Sequence, residues 1–285
     1  MAKFGINGWC WCYPFYKEEN FSSAISKTKT LGFDGIEVPV EDPQKLDERK
    51  LRDNLNSYDI LCSSTWSVFT RDRDLISSNA QNRERCKNHV KDNVKIASAL
   101  DADITLLLPS AVWKLESSLT RQQEWKLAVE GLRELGEFSD EYGVYIVVEP
   151  LNRFETYFIN SIQDAIDLVK DVNHPNVKMM IDTFHMNIED RKFGEEIEKA
   201  GELIFHCHMN ENDRGPPGAG HIPFEEIINA LKAIGYDRWL VMEPFSQASI
   251  GRATIQNQDI LALEGLRYLQ SIWSRARGSK RSNPP

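Results

Sequence analysis

Short runs rich in Val, Ile and Leu alternate along this chain with longer stretches whose apolar residues recur every three or four positions. The first pattern predicts a buried strand and the second an amphipathic helix. Strands are predicted over residues 3–7, 36–38, 60–64, 103–108, 144–149, 177–182, 203–208 and 238–243. Helices are predicted near residues 21–31, 45–58, 81–100, 121–142, 162–171, 194–200, 223–234 and 259–273. Eight strand–helix units in one run, with no linker between the halves, predict a single-domain α/β protein, a closed (β/α)8 TIM barrel over residues 1–274. A doubly wound open sheet is the competing architecture, but no Gly-rich dinucleotide fingerprint follows the first strand. Residues 275–285 are basic, contain Ser and Pro and lack an apolar period, which predicts a disordered basic tail.

Composition narrows the function classes. A length of 285 residues suits one α/β barrel. Lys and Arg number 34 against 43 Asp and Glu, a net charge of −9, whereas a nucleic-acid partner calls for a basic surface. No apolar run approaches the roughly 20 residues that span a bilayer, so no membrane partner is expected. The opening MAKFGING has no charged segment followed by an apolar one, so no secretory signal is expected. The cysteines, Cys10, Cys12, Cys62, Cys86 and Cys207, are odd in number and read as free thiols in a reducing cytoplasm. Cys10 and Cys12 lack the usual spacing of a zinc or redox pair and are read as structural.

The chemistry is concentrated in the last four predicted strands. Each is apolar and ends in a residue type that binds metals: Glu149, Asp182, His208 and Glu243. In a barrel, groups at the C-terminal strand ends converge above the mouth. The two-residue period of a strand places Glu149 on one face with Val147 and Tyr145, Glu243 with Val241 and Trp239, and Asp182 with Met180. His206 shares a face with His208 one layer deeper and reads as a hydrogen-bonded core histidine. Three carboxylates and one imidazole suit one divalent ion such as Mn2+, with Mg2+ or Co2+ as alternatives, rather than structural zinc. Glu155, His185 and Arg214 follow the ligand candidates on loops, where each can reach a bound polyol or make a loop salt bridge. Arg153 is read as bracing its own loop.

The segments VVEPLNRFETYFINS, MIDTFHMNIED, HCHMNENDRGPPGAGHIPF and VMEP, with LGFDGIEVPVEDP and PSAVWKL before them, resemble the ketose 3-epimerases. These are the D-tagatose and D-psicose (D-allulose) 3-epimerases of the xylose isomerase-like barrel superfamily. The resemblance implies the metal set Glu149, Asp182, His208 and Glu243, and gives Glu149 and Glu243 the proton chemistry. It assigns Glu155, His185 and Arg214 to the sugar's hydroxyls and carbonyl near C1 and C2. The sequence departs from the pattern in an aromatic first loop, Trp9, Trp11, Tyr13 and Phe15, and in Phe224, where the family often has Trp. Trp66 and Trp113 lie on loops that in the family meet the far end of the sugar. Such rings can line the sugar site or pack the barrel rim.

The expected reaction is the interconversion of free ketoses at C3 (D-tagatose/D-sorbose, D-fructose/D-psicose or L-ribulose type) through a cis-enediolate. Two acid/base groups flank the carbon, one removing the proton and the other returning it. An aldose–ketose isomerase, or a related inosose or hydroxypyruvate enzyme, would use the same metal site on another carbon. An apurinic-site endonuclease needs a His-rich multi-metal cluster, and the chain has six His. A non-catalytic sugar-binding module does not need two carboxylates placed for proton transfer. Residues 215–220 are Gly-rich, but the loop after the last strand has no glycine cradle, which favours an unphosphorylated sugar. A homodimer or homotetramer is expected.

Overall fold

A computed structural model describes residues 2–244 and 255–276. Eight parallel strands follow one another in chain order and close into a barrel. They are β1 (Lys3–Asn7), β2 (Gly35–Pro39), β3 (Leu61–Trp66), β4 (Ile104–Leu107), β5 (Tyr145–Val148), β6 (Val177–Asp182), β7 (Ile204–His208) and β8 (Trp239–Met242). The seam is β8 against β1, in the register Lys3↔Trp239 to Ile6↔Met242. Closure leaves none of these eight strands with an unpaired edge.

The helices are α1 (Glu18–Leu31), α2 (Glu48–Tyr58), α3 (Ala80–Ala99), α4 (Arg121–Asp140), α5 (Ile162–Val172), α6 (Thr183–Glu189), α7 (Phe193–Ala200), α8 (Phe224–Ala233) and α9 (Ile255–Arg275). The outer helices bury apolar stripes; α5 buries Ile162, Ala165, Ile166, Leu168, Val169 and Val172. Thr120 and Ser161 start α4 and α5 as reciprocal capping boxes, using Gln123 and Asp164, a device in which the cap residue contributes about 1 kcal/mol. No helix among the described residues is long and apolar enough to cross a membrane.

The barrel of eight strand–helix units is the architecture predicted from the pattern. Two local differences bear on the site. First, β6 is followed by α6 as well as α7, where one helix was predicted. Asp182 caps α6 by accepting the Phe184 N–H at 2.8 Å. His185, expected on a loop, therefore sits in the first turn of a helix. Second, β5 and β8 stop one residue short of Glu149 and Glu243. The Glu149 N–H still donates to the Leu107 carbonyl at 3.1 Å. The Glu243 N–H instead donates to Asn210 Oδ1 at 2.8 Å. At the other end of the chain, Arg275 belongs to α9, and residues 277–285 of the expected tail lie outside the described residues.

The inside of the barrel is layered. At the floor the Trp239 ring lies across β1 and β2, pressed against Gly35, where only a glycine leaves room for it. A Cβ on Gly35 would stand 2.6 Å from that ring and 2.7 Å from the Leu61 carbonyl oxygen. Tyr145 and Phe205 pack at a tilt with ring centres 4.6 Å apart, and the Arg238 guanidinium lies 3.8 Å from the centre of Phe205. Ile104, Leu106, Val147 and Met180 form a buried aliphatic cluster, separate from the large core between strands and helices. Val147 and Met180 share strand faces with Glu149 and Asp182, so the same alternation lifts those carboxylates to the mouth.

Candidate active site

Above the aliphatic layer, Glu149, Asp182, His208 and Glu243 are all buried. His208 is the centre of the group. Its Nδ1 lies 3.2 Å from Glu243 Oε2, 3.6 Å from Glu149 Oε1 and 3.9 Å from Asp182 Oδ2. Nδ1 has no hydrogen-bond partner among the described residues. The other ring nitrogen, Nε2, lies 3.2 Å from Glu37. Three buried carboxylates facing one unpartnered imidazole nitrogen form an arrangement that calls for positive charge. Asp182, His208 and Glu243 are close enough to hold a metal ion jointly, and so are Glu149, Asp182 and His185. The donor set of carboxylate oxygens and imidazole fits a divalent ion of hard or borderline character.

The titration of these groups reports the same field. Burial pushes the Glu149 carboxyl up to about 7; Asp182 and Glu243 add to the rise and His208 opposes it. Burial also raises Asp182, against Arg214 and His208. For His208, burial disfavours the charged ring, but Glu243, Glu37 and Glu149 outweigh it and hold the pKa well above the usual histidine range. The carboxylates thus favour a positive charge at the ring, whether a proton or a cation; a metal ion displaces that proton on binding.

Arg214, on the loop after β7, closes one side. Its guanidinium lies 3.4 Å from Glu243, 3.7 Å from Asp182 and 3.7 Å from Glu155, and 3.0 Å from His185 Nε2. Phe184 supports it at 4.3 Å from the ring centre. Asn152 orders the neighbours: its N–H donates to His185 Nδ1 at 3.1 Å, and its Nδ2 donates to Glu155 at 3.0 Å. Through these contacts the three residues expected on substrate loops meet beside the four strand-end residues. His185 stands between the two groups, with Nε2 3.6 Å from Asp182 and 4.0 Å from Glu149. Arg153 makes a paired contact with Glu189 at 2.7–3.1 Å, tying its loop to α6 as expected of a brace.

The rings of the aromatic first loop differ in burial. Phe15 is fully buried core. Trp9 stacks edge-on against Trp66 with ring centres 4.7 Å apart and donates from Nε1 to Glu41 at 2.6 Å. Tyr13 and Trp113 are exposed on the rim, at 74% and 69%. Phe224 is buried and packs edge-on against Tyr268.

The family described as xylose isomerase-like TIM barrel matches residues 25–272. A D-psicose 3-epimerase from Ruminiclostridium cellulolyticum is 34% identical over 82% of each chain. The chain belongs to the ketose 3-epimerases of the xylose isomerase-like TIM barrels. An L-ribulose 3-epimerase from Mesorhizobium japonicum is 28% identical over 86% of this chain and 82% of its own. The crystal structure of D-psicose 3-epimerase with D-tagatose from Clostridium cellulolyticum H10 superposes with a TM-score of 0.86 at 29% identity, covering 95% of this chain and 99% of that one.

In this ketose 3-epimerase barrel, several residues at the site were not singled out from sequence. Glu37 and Ser64 come from β2 and β3, Asn7 ends β1, and Asn152 and Asn210 lie just past β5 and β7. Asn210 approaches both Asp182 oxygens at 3.3 Å while its Oδ1 receives the Glu243 N–H. The visible sign of Glu37 is a carboxylate in the middle of Gly-Ile-Glu-Val-Pro, a strand buried throughout. His206 is a hydrogen-bonded core histidine as expected, with Nε2 3.0 Å from Glu37.

Proposed function

We propose that the chain catalyses the divalent-metal-dependent epimerisation of free ketoses at C3. The observation that carries this reading is the unpartnered Nδ1 of His208, surrounded by Glu149, Asp182 and Glu243 within 3.9 Å. These four residues would hold the ion, with Mn2+ expected and Mg2+ or Co2+ able to substitute. When bound, such an ion supplies Lewis-acid stabilisation of the negative charge that develops on the carbonyl oxygen.

Epimerisation needs a base on one face of C3 and an acid on the other. Glu149 and Glu243 come from β5 and β8, on separate sides of β6 and β7, so two different carboxyls can address the two faces. One takes the C3 proton and the other returns one, with the roles exchanged for the reverse reaction. Arg214, His185 and Glu155 bind and orient the sugar's oxygens near C1 and C2, which supplies the positioning part of the rate. The names of the relatives, D-psicose and L-ribulose 3-epimerases, support an unphosphorylated ketose. All five thiols are free and four are buried, which supports a reducing compartment such as the cytoplasm. A homodimer or homotetramer belongs to the same reading and is checked by light scattering.

Turnover of free ketoses in D2O tests the reaction. Deuterium is expected at C3 of the product, with C1 unlabelled and the product still a ketose. An aldose product, or label entering at C1 or C2, would replace this reading with an aldose–ketose isomerase. Glu149→Gln and Glu243→Gln should each lower turnover by about 10²-fold or more. Metal content is measured in each variant, because loss of the ion would mimic loss of the acid/base group.

A further inference from the structure

None of the four proposed ligands comes from the first four strands, yet β1, β2 and β3 reach the site through Asn7, Glu37 and Ser64. Glu37 on β2 is fully buried at the centre of the barrel. Its Oε1 accepts from Asn7 Nδ2 at 2.7 Å, and its Oε2 accepts from the Ser64 hydroxyl at 2.6 Å. The same Oε2 lies 3.0 Å from His206 Nε2 and 3.2 Å from His208 Nε2. Asn7 spends its second amide proton on Glu243 Oε1, at 2.9 Å. Its Oδ1 accepts the Trp9 N–H at 2.9 Å, which fixes which end of the amide faces the two carboxylates.

The tautomer of His208 follows from this geometry. A neutral imidazole has one N–H and one lone pair. Glu37 already faces donors from Asn7 and Ser64 and offers His208 only an acceptor. The proton of His208 therefore belongs on Nε2, which leaves the Nδ1 lone pair directed at Glu149, Asp182 and Glu243. A metal-ligating histidine whose other nitrogen donates to a carboxylate is held in both ring orientation and tautomer.

We propose that Glu37 is a positioning residue for the metal centre: it holds His208 as the Nε2–H tautomer with Nδ1 presented to the ion, and through Asn7 it fixes the orientation of Glu243. This rests on the metal-dependent reading above. His206 anchors the same carboxylate from the layer below.

Three measurements test it, and the first two do not use sugar turnover. In wild-type protein loaded with diamagnetic Mg2+, histidine 15N NMR should show His208 protonated at Nε2 and unprotonated at Nδ1. A ring protonated at Nδ1 overturns the proposal, and this measurement needs no variant to fold. Glu37→Gln keeps the side chain's size but sets an amide N–H or a weaker acceptor against His208 Nε2. Calorimetric titration of Mn2+ into the metal-stripped variant should give a Kd weakened about 10–100-fold. Saturating Mn2+ should restore most of kcat, which a merely structural lesion would not allow. Equal Mn2+ affinity in wild type and a folded Glu37→Gln removes the role of Glu37 alone. Absence of divalent-ion binding by the wild type removes both this proposal and the metal-dependent reading.

Discussion

Asp190, at the end of α6, carries a carboxylate that its surroundings oppose. Burial pushes its pKa up to about 7; the Ile162 N–H, 3.3 Å away, works against the rise, and Glu196, Glu189 and Asp164 add to it. In the unfolded chain an aspartate titrates near 3.9, at about its ordinary value. Between these two values the folded state binds more protons than the unfolded one, so stability falls as pH rises toward 7. Asp190→Asn keeps an oxygen for the Ile162 N–H and removes that loss. The variant should match wild type near pH 4 and exceed it at pH 8 in urea denaturation; parallel curves at all pH values would contradict the assignment. Residues also differ in how far sequence exposes them. Glu149, Asp182, His208 and Glu243 were legible because each closes an apolar run, and barrel geometry sends such positions to one place. Glu37 was not, because its meaning depends on His206 and His208, which lie 169 and 171 positions away and meet it only across the closed sheet. Asn7 and Asn210 were hidden for the same reason: an amide is an ordinary loop residue until its partners are known.

Elements were legible where the apolar period was long. The strands and the outer helices fell within a few residues of their predicted ranges, since burial on the barrel dictates the pattern. The exception, α6, begins on a cap supplied by Asp182, so a residue marked for metal chemistry also starts a helix. That dual use brings Asp182 and His185 onto one side of the turn, at spacing i and i+3. Another element-level constraint lies on β2. Gly35 faces both the Trp239 ring and the Leu61 carbonyl, and only the ring has any freedom to yield. Gly35→Ala should therefore destabilise the barrel by about 1–3 kcal/mol, the usual cost of overpacking, despite alanine's lower entropy loss on folding. The urea midpoint checks this, and no change in it would mean that β2 and Trp239 separate without strain.

For the molecule as a whole, the four proposed ligands lie at or just past the ends of four consecutive strands, so ion binding by them would be a property of the assembled barrel. An ion that binds the folded state alone adds stability by mass action, about 2.7 kcal/mol at a hundredfold excess over its Kd. Melting in Mn2+ should occur above melting in EDTA, and by a margin that grows with ion concentration; coincident midpoints would separate the ion from the fold. The floor of the barrel sets a different condition, one of timing. A chain is made from its N-terminus, and Trp239 belongs to the last strand to leave the ribosome. Until it arrives, the space over Gly5 and Gly35 has nothing to fill it, and β1 has no neighbour on its β8 side. The nascent protein thus carries an unmatched β1 edge until the seven other strands have emerged, and the ring that ends this exposure is delivered with the last of the eight.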